Sequence, residues 1–105
     1  MREDLLFVVE GVFDAVKLHR QGMPAIAVLT STPSKQMIAW LRSLGRTIIA
    51  VLDNDTAGQS SNILMTGADV VVESPLNRKD LGESTDSEVA YLVELVLSKI
   101  KVSVR

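Results

Sequence analysis

Four short apolar runs, separated by segments of helical spacing or by polar loops, constrain the fold of this 105-residue chain more than any other feature. The strands predicted from these runs cover about 5–10, 25–29, 47–52 and 69–73, and some of them have a polar residue at an end. A continuous apolar run indicates a strand that is buried on both faces, and the alternation of such strands with helices is typical of βαβ units. We therefore predict an α/β fold in which a four-stranded parallel sheet is flanked by helices.

The spacing of apolar residues predicts the first helix over about 12–21. Val12, Phe13, Val16 and the apolar stem of His19 are its expected inward face.

The second helix is expected to begin with Thr32 as its N-cap and Pro33 at its first helical position, and to end at Gly45. A shorter and more polar helix is predicted over 58–65.

The C-terminal amphipathic helix is predicted over about 86–101. It follows a capping box made by Thr85 and Glu88.

Composition limits the class of protein. The chain contains no cysteine, which excludes a disulfide framework and thiol catalysis and fits a cytoplasmic location. No apolar stretch approaches the ~20 residues that span a bilayer, so we expect no membrane partner. The formal net charge is −2, so the chain lacks the excess of basic residues that a stand-alone nucleic-acid-binding protein usually has. We expect residues 1–105 to form one domain.

Acidic residues follow two of the predicted strands. Glu10 ends the first run, and Asp53 and Asp55 follow the third. If those strands are parallel neighbours, all three carboxylates lie at the edge of the sheet where ligands bind in open α/β folds. Each pair would repel by roughly 3 kcal/mol at about 5 Å and an effective dielectric near 20. A divalent cation would remove that cost, so the pattern predicts a metal site, although an acid at a strand end can also simply begin a turn.

Spacing argues against other acidic motifs. A calcium-binding loop that began at Asp53 would need oxygen ligands where Ala57 and Leu64 stand. The Asp-x-Asp-x-Thr phosphatase signature also fails at Ala57. A phospho-receiver domain stays open as an alternative, but its first strand usually ends in two adjacent acids, and here only Glu10 is present.

The motifs resemble those of the Toprim (topoisomerase–primase) family, over nearly the whole chain. In that family one strand ends in Glu-Gly and a later strand ends in Asp-x-Asp with a glycine soon after. This chain has Glu10-Gly11-Val12-Phe13-Asp14 and Asp53-Asn54-Asp55-Thr56-Ala57-Gly58, and later Lys79-Asp80-Leu81-Gly82-Glu83. These motifs are most similar to those of bacterial and phage primases. The resemblance implies a Rossmann-like fold for this chain. Many bacterial primases have a second Asp where this chain has Gly82, which has no side chain to bind a metal.

The resemblance implies a Mg²⁺ or Mn²⁺ ion held by Glu10, Asp53 and Asp55, with Asp80 as a further contact. These three strand-end acids would be the catalytic residues, and Glu10 could act as a general acid or base. Magnesium prefers oxygen ligands and is usually shared with substrate phosphates.

Three further residues are candidates for binding phosphate or nucleotide. Gly11 and Gly58 would let the backbone approach a phosphate closely, and Lys79 could contact one. Ordinary turn chemistry and a solvated loop lysine are the alternatives. Asp14 is expected to cap its helix rather than to act in catalysis.

The resemblance further implies a primase-type nucleotidyltransferase that makes RNA primers in DNA replication. The single-stranded DNA template and the nucleoside triphosphates would be bound with the help of additional domains or subunits, and a helicase or a polymerase is a candidate partner. The chain is then either a fragment or a small protein that needs partners. The alternatives are a Toprim-type metal-dependent nuclease and a non-catalytic module that binds nucleic acid or protein in replication or repair.

Overall fold

The computed structural model describes residues 4–29, 34–52, 68–73 and 80–103. The strands in this part of the chain are β1 (Leu5–Val9), β2 (Ala25–Ala27), β3 (Thr47–Leu52) and β4 (Val70–Glu73). The helices there are α1 (Val12–Arg20), α2 (Lys35–Ser43) and α3 (Asp86–Ser103), with one 3₁₀ turn at Leu81–Glu83. The helix predicted over 58–65 lies outside the described residues.

The four strands form one parallel sheet in the order β2-β1-β3-β4, which confirms the predicted α/β fold. β1 lies between β2 and β3. In these two pairings Phe7 is opposite Ala25 of β2, and Val8 is opposite Ala50 of β3. The chain therefore moves from β1 to one side and then crosses to the other, so the strand order reverses between β1 and β3. In open α/β sheets such a reversal opens a crevice at the carboxyl ends of the strands.

Hydrophobic side chains cover both faces of the sheet, which explains why its strands are continuous apolar runs. Leu5, Phe7 and Val9 of β1 face one core, which α1 and α3 cover with Leu18 and a row of α3 residues. That row is Val89, Leu92, Val93, Val96 and Ile100. The alternate residues of β1 and β3 face a smaller core that contains Leu41 of α2.

The predicted inward face of α1 is wrong. Val12, Phe13 and Val16 are 55%, 78% and 47% exposed, and His19 is also exposed. Asp14 and Leu18, which are spaced by four residues and so share a face of the helix, are the buried residues. Apolar spacing alone could not reveal this rotation, because one of the two buried side chains is a carboxylate whose burial depends on hydrogen bonds from elsewhere in the fold.

The predicted start of α2 is also corrected. Ser34 is the N-cap, and its hydroxyl accepts the N–H of Met37 at 3.1 Å. The helix therefore begins at Lys35, later than predicted, because this nearer hydroxyl supplies the cap. Thr32 and Pro33 lie outside the described residues.

The end of α2 and the start of α3 agree with the sequence, whereas β2 ends earlier than predicted. Gly45 follows α2 with φ +69°, as predicted for the end of that helix. The capping box of α3 is confirmed: the N–H of Thr85 donates to Glu88 Oε1 at 2.8 Å, and the N–H of Glu88 donates to Thr85 Oγ1 at 3.1 Å. The strand predicted over 25–29 is shorter, because Leu29 adopts the left-handed region at φ +60°.

Candidate functional site

Glu10 follows β1 directly and lies at the carboxyl end of the sheet, beside the reversal of strand order. Its carbonyl oxygen accepts the N–H of Leu29 at 2.8 Å, so the backbone after β1 is tied to the chain after β2. β3 ends at Leu52, immediately before Asp53. The premise that these two acidic strand ends belong to parallel neighbours is therefore confirmed.

Four of the predicted site residues lie outside the described residues: Asp53, Asp55, Gly58 and Lys79. Their participation with Glu10 in one metal site stays a prediction. Within residues 4–29, 34–52, 68–73 and 80–103, no group of three or more His, Cys, Asp or Glu side chains is arranged to hold a metal ion. The predicted ligand set therefore depends on Asp53 and Asp55.

Gly11 is the N-cap residue of α1, in an extended conformation with φ −112° and ψ 154°. Its N–H donates to Asp14 Oδ2 at 3.1 Å, so the predicted capping role of Asp14 is confirmed. A Cβ added at Gly11 would lie 3.2 Å from the same carboxylate oxygen. A side chain at this position would therefore crowd the cap directly after Glu10.

Asp80 begins the 3₁₀ turn that leads into α3. Its Oδ1 atom accepts the N–H of Glu83 at 3.0 Å, and its carbonyl oxygen accepts the hydroxyl of Ser84 at 3.1 Å. Ser84 is buried, and so is Leu81 within the turn. The position of Asp80 is thus set by hydrogen bonds to its side chain and to its carbonyl oxygen, and by the buried side chain of Leu81.

The carboxylate of Asp14 connects the Glu10–Gly11 segment to this turn. Its Oδ1 atom accepts the N–H of Gly82 at 2.7 Å, while Oδ2 accepts the N–H of Gly11. Asp14 is only 4% exposed. The two hydrogen bonds offset part of the cost of burying a charged group.

The pKa of Asp14 is raised from its ordinary value of 3.8, chiefly because burial disfavours the charged form. The backbone N–H groups of Gly82 and Gly11 act in the opposite direction, and the negative charges of Asp80 and Glu10 raise the pKa further. Asp80 and Glu10 are therefore close enough to Asp14 to act on its charge.

Gly82 lies where an added Cβ would be crowded by three neighbouring atoms. A Cβ added there would lie 3.1 Å from Phe13 Cβ and 3.2 Å from both Asp14 Oδ1 and Asp80 Oδ1. The small residue allows the backbone N–H of the turn to reach the buried carboxylate of Asp14. A larger residue at position 82 would therefore crowd the first turn of α1 and the carboxylates of Asp14 and Asp80.

Sequence reasoning identified Asp14 as a helix cap but missed its second partner. The signal available in the sequence was the Glu-Gly-x-x-Asp spacing, which places a carboxylate at the third helical position. The link to Gly82 spans 68 residues of sequence, so only the tertiary structure reveals it.

Two ion pairs also join α3 to α1. Arg20 Nη2 lies 2.8 Å from Asp86 Oδ2, and Lys17 Nζ lies 3.8 Å from Asp86 Oδ1. Because Asp86 is the first residue of α3, these contacts fix the start of that helix beside the end of α1. The turn that carries Asp80 comes just before it.

No described helix combines the length and the apolar character needed to cross a membrane.

Comparison with known proteins agrees with the motifs and the fold. The sequence profile of the Toprim-like family matches residues 7–83, which include the end of β1, all of β3 and the turn at Asp80. A DNA primase from Thermotoga maritima is 32% identical over 88 residues, which cover 77% of this chain but only 16% of the primase. No solved structure gives a significant match. The chain belongs to the Toprim-like family.

Proposed function

We propose that this chain is the metal-dependent nucleotidyl-transfer domain of a primase-like protein, which makes RNA primers in DNA replication. The observation that carries the proposal is the parallel pairing of β1 with β3 at the reversal of strand order. The ends of β1 and β3, which come just before Glu10 and Asp53 in the sequence, are neighbours in the sheet, and this supports a site shared by the two motifs. The similarity to a primase of Thermotoga maritima supports the choice of reaction within the family.

Glu10, Asp53 and Asp55 would hold Mg²⁺ or Mn²⁺, and Asp80 would supply a further contact. Asp80 uses Oδ1 to cap its turn, but a single carboxylate oxygen is sufficient for a metal ligand. The metal, when bound, would neutralise charge on the reacting phosphate and orient the attacking and leaving oxygens. Hard oxygen ligands at the crevice of a parallel sheet suit such an ion.

The remaining roles belong to the chain itself. Gly11 and Gly58 would allow phosphate groups to approach the backbone, and Lys79 would contact a phosphate. Glu10 follows a strand held on both sides by β2 and β3, so its backbone is well fixed for binding metal or for proton transfer. Such fixed placement of reacting groups is the main contribution of a protein to phosphoryl transfer.

Template and triphosphate binding would come from additional domains or subunits, and a helicase or polymerase is a candidate partner. The net charge of −2 supports this division, because a strand of nucleic acid needs a basic surface. The matched region is a small part of the primase from Thermotoga maritima. We therefore expect little or no primer synthesis by this chain alone.

Calorimetric titration with Mn²⁺ tests the proposal. The wild type is expected to bind one ion, and Glu10→Gln and Asp53→Asn should each weaken binding at least about tenfold, since even groups that only support a metal ligand contribute 10–100-fold. Asp69→Asn is the matched control, because Asp69 precedes β4 and so lies at the amino ends of the strands, away from the carboxyl ends where Glu10 lies. Absence of binding, or equal binding by Glu10→Gln, would favour a non-catalytic binding module.

A cleavage assay separates the primase proposal from the nuclease alternative. Labelled single-stranded and duplex DNA are incubated with the chain and Mg²⁺. The proposal predicts intact DNA. Cleavage that disappears in Asp53→Asn would identify a nuclease instead.

A further inference from the structure

The carboxylate of Asp14 is shared between two segments that are far apart in sequence. Oδ2 accepts the N–H of Gly11 at 3.1 Å, and Oδ1 accepts the N–H of Gly82 at 2.7 Å. Gly11 is the neighbour of Glu10, and Gly82 comes two residues after Asp80. One buried side chain therefore connects the backbone beside two acids, Glu10 and Asp80, that both act on its charge.

This arrangement exceeds what a helix cap requires. A cap needs one carboxylate oxygen and is usually solvated, whereas Asp14 is 4% exposed and uses both oxygens. Charge-assisted hydrogen bonds are short and strong, and the 2.7 Å distance to Gly82 lies at the short end of their range. The second bond adds a tertiary link that an isolated helix could not form.

The surroundings of Gly82 show that the link is closely fitted. A Cβ at Gly82 would meet Phe13, Asp14 and Asp80 within 3.2 Å, so the turn packs tightly against the first turn of α1. Asp80 and Glu10 both act on Asp14 electrostatically. Movement of either segment would therefore change the distance between the two acids.

We propose that Asp14 is a positioning residue, whose two carboxylate oxygens hold the Gly11 and Gly82 backbone and thereby set the separation of Glu10 and Asp80. The proposal rests on the proposed function, in which those two acids act on one metal ion. Asp14 acts here through its backbone partners and is not itself a ligand.

Amide hydrogen exchange tests the link directly and needs no metal. In the wild type the amides of Gly11 and Gly82 should both be protected. Asn at position 14 has one acceptor oxygen, and its NH₂ group would face the other N–H, so Asp14→Asn should speed the exchange of one glycine amide at least about tenfold. Asp14→Ala has no acceptor, and both amides should exchange faster.

The proposal would be overturned if both glycine amides kept their wild-type protection from exchange in Asp14→Asn. It would also be overturned if both stayed protected in Asp14→Ala. If Asp14→Ala does not fold, the result for Asp14→Asn decides the question, because that variant keeps the size of the side chain and one of its two bonds.

Mn²⁺ titration then tests the positioning role. Asp14→Asn should keep a stoichiometry of one ion but weaken binding about ten- to hundredfold, as is typical of groups that orient a metal ligand. Asp14→Asn and Asp80→Asn should be strongly non-additive in their effect on affinity, because both remove the contribution of the Asp80 turn.

Asp69→Asn is again the matched control. Asp69 Oδ2 accepts one backbone N–H, from Ile48 at 2.8 Å, near the start of β3 and away from the site. This variant should expose the Ile48 amide to exchange and leave Mn²⁺ affinity unchanged. An equal loss of affinity in Asp69→Asn and Asp14→Asn would indicate general loosening of the fold and would overturn the positioning role.

Additive effects of Asp14→Asn and Asp80→Asn would also overturn it. If the wild type binds no Mn²⁺, the proposed function fails, and hydrogen exchange then decides on the Asp14 link by itself.

Discussion

The substitution Gly82→Ala gives the sharpest test of how the turn packs on α1. The added methyl group would lie 3.1 Å from Phe13 Cβ and 3.2 Å from Asp14 Oδ1 and Asp80 Oδ1. The first neighbour is fixed to a helix, and the two oxygens are held by hydrogen bonds, so none can move away at low cost. Each contact must open by a few tenths of an ångström to reach ordinary van der Waals distance.

Overpacking of this kind typically costs 1–3 kcal/mol. Lengthening of the hydrogen bond from Gly82 to Asp14 would add to that cost, since bonds to charged groups contribute about 1.5–3 kcal/mol. Because the turn can relax in part, we expect the free energy of unfolding to fall by about 2 kcal/mol. For a domain of about 100 residues this corresponds to a decrease in Tm of roughly 8–16 °C.

Urea denaturation followed by circular dichroism measures the change. Gly45→Ala is the control, because Gly45 has open space around its missing Cβ and a left-handed φ of +69°. The loss in free energy of unfolding in Gly45→Ala should come from the backbone alone and amount to about 1–2 kcal/mol. This variant should leave the Mn²⁺ affinity unchanged. The packing argument is refuted if Gly82→Ala unfolds within 0.5 kcal/mol of the wild type (about the scatter of ordinary surface substitutions).

Three further predictions address strain, pH and capping. Leu29 is 71% exposed and has φ +60°, so Leu29→Asn should raise the free energy of unfolding by up to about 1 kcal/mol in urea denaturation; a decrease would show that its side chain contributes packing. The pKa of Asp14 is higher in the folded than in the unfolded chain, so its protonation contributes stability that is fully present below the unfolded pKa and is lost as pH rises through the raised folded pKa. Between the unfolded and folded pKa values, the Tm of the wild type should therefore decrease with rising pH relative to that of Asp14→Asn, and parallel profiles would contradict the raised pKa. Thr85→Ala removes one bond of the α3 capping box and should cost about 1 kcal/mol by thermal denaturation, whereas an unchanged Tm would mean that the ion pair of Arg20 with Asp86 suffices to fix this helix end.

The fold could be predicted because its signals are local and consistent. The strand predicted over 47–52 matches β3 residue for residue, since the interior of a strand buried on both faces must be apolar, as residues 48–51 are. The capping box at Thr85 and Glu88 marked the start of α3 for a similar reason, because both of its bonds join residues three apart. The family motifs are likewise short and follow strands, and the family match over 7–83 agrees with them.

The burial of α1 could not be predicted in the same way. Periodicity favoured Val12, Phe13 and Val16 as the inward face, yet the structure buries Asp14 and Leu18. A buried carboxylate is stable only where donors converge on it, and one of the two donors comes from the turn before α3. Information about that partner is absent from the local sequence of α1.

The sequence by itself therefore determined the order of the described strands and helices along the chain, the acidic residues that follow the strands, and the family. Each of these depends on residues that are close together in the chain. The tertiary structure decided which face of α1 is buried, and it revealed that Asp14 ties the Glu10 segment to the Asp80 turn. That link joins residues 68 positions apart, and such a contact exists only once the sheet and the two helices on that face have packed together.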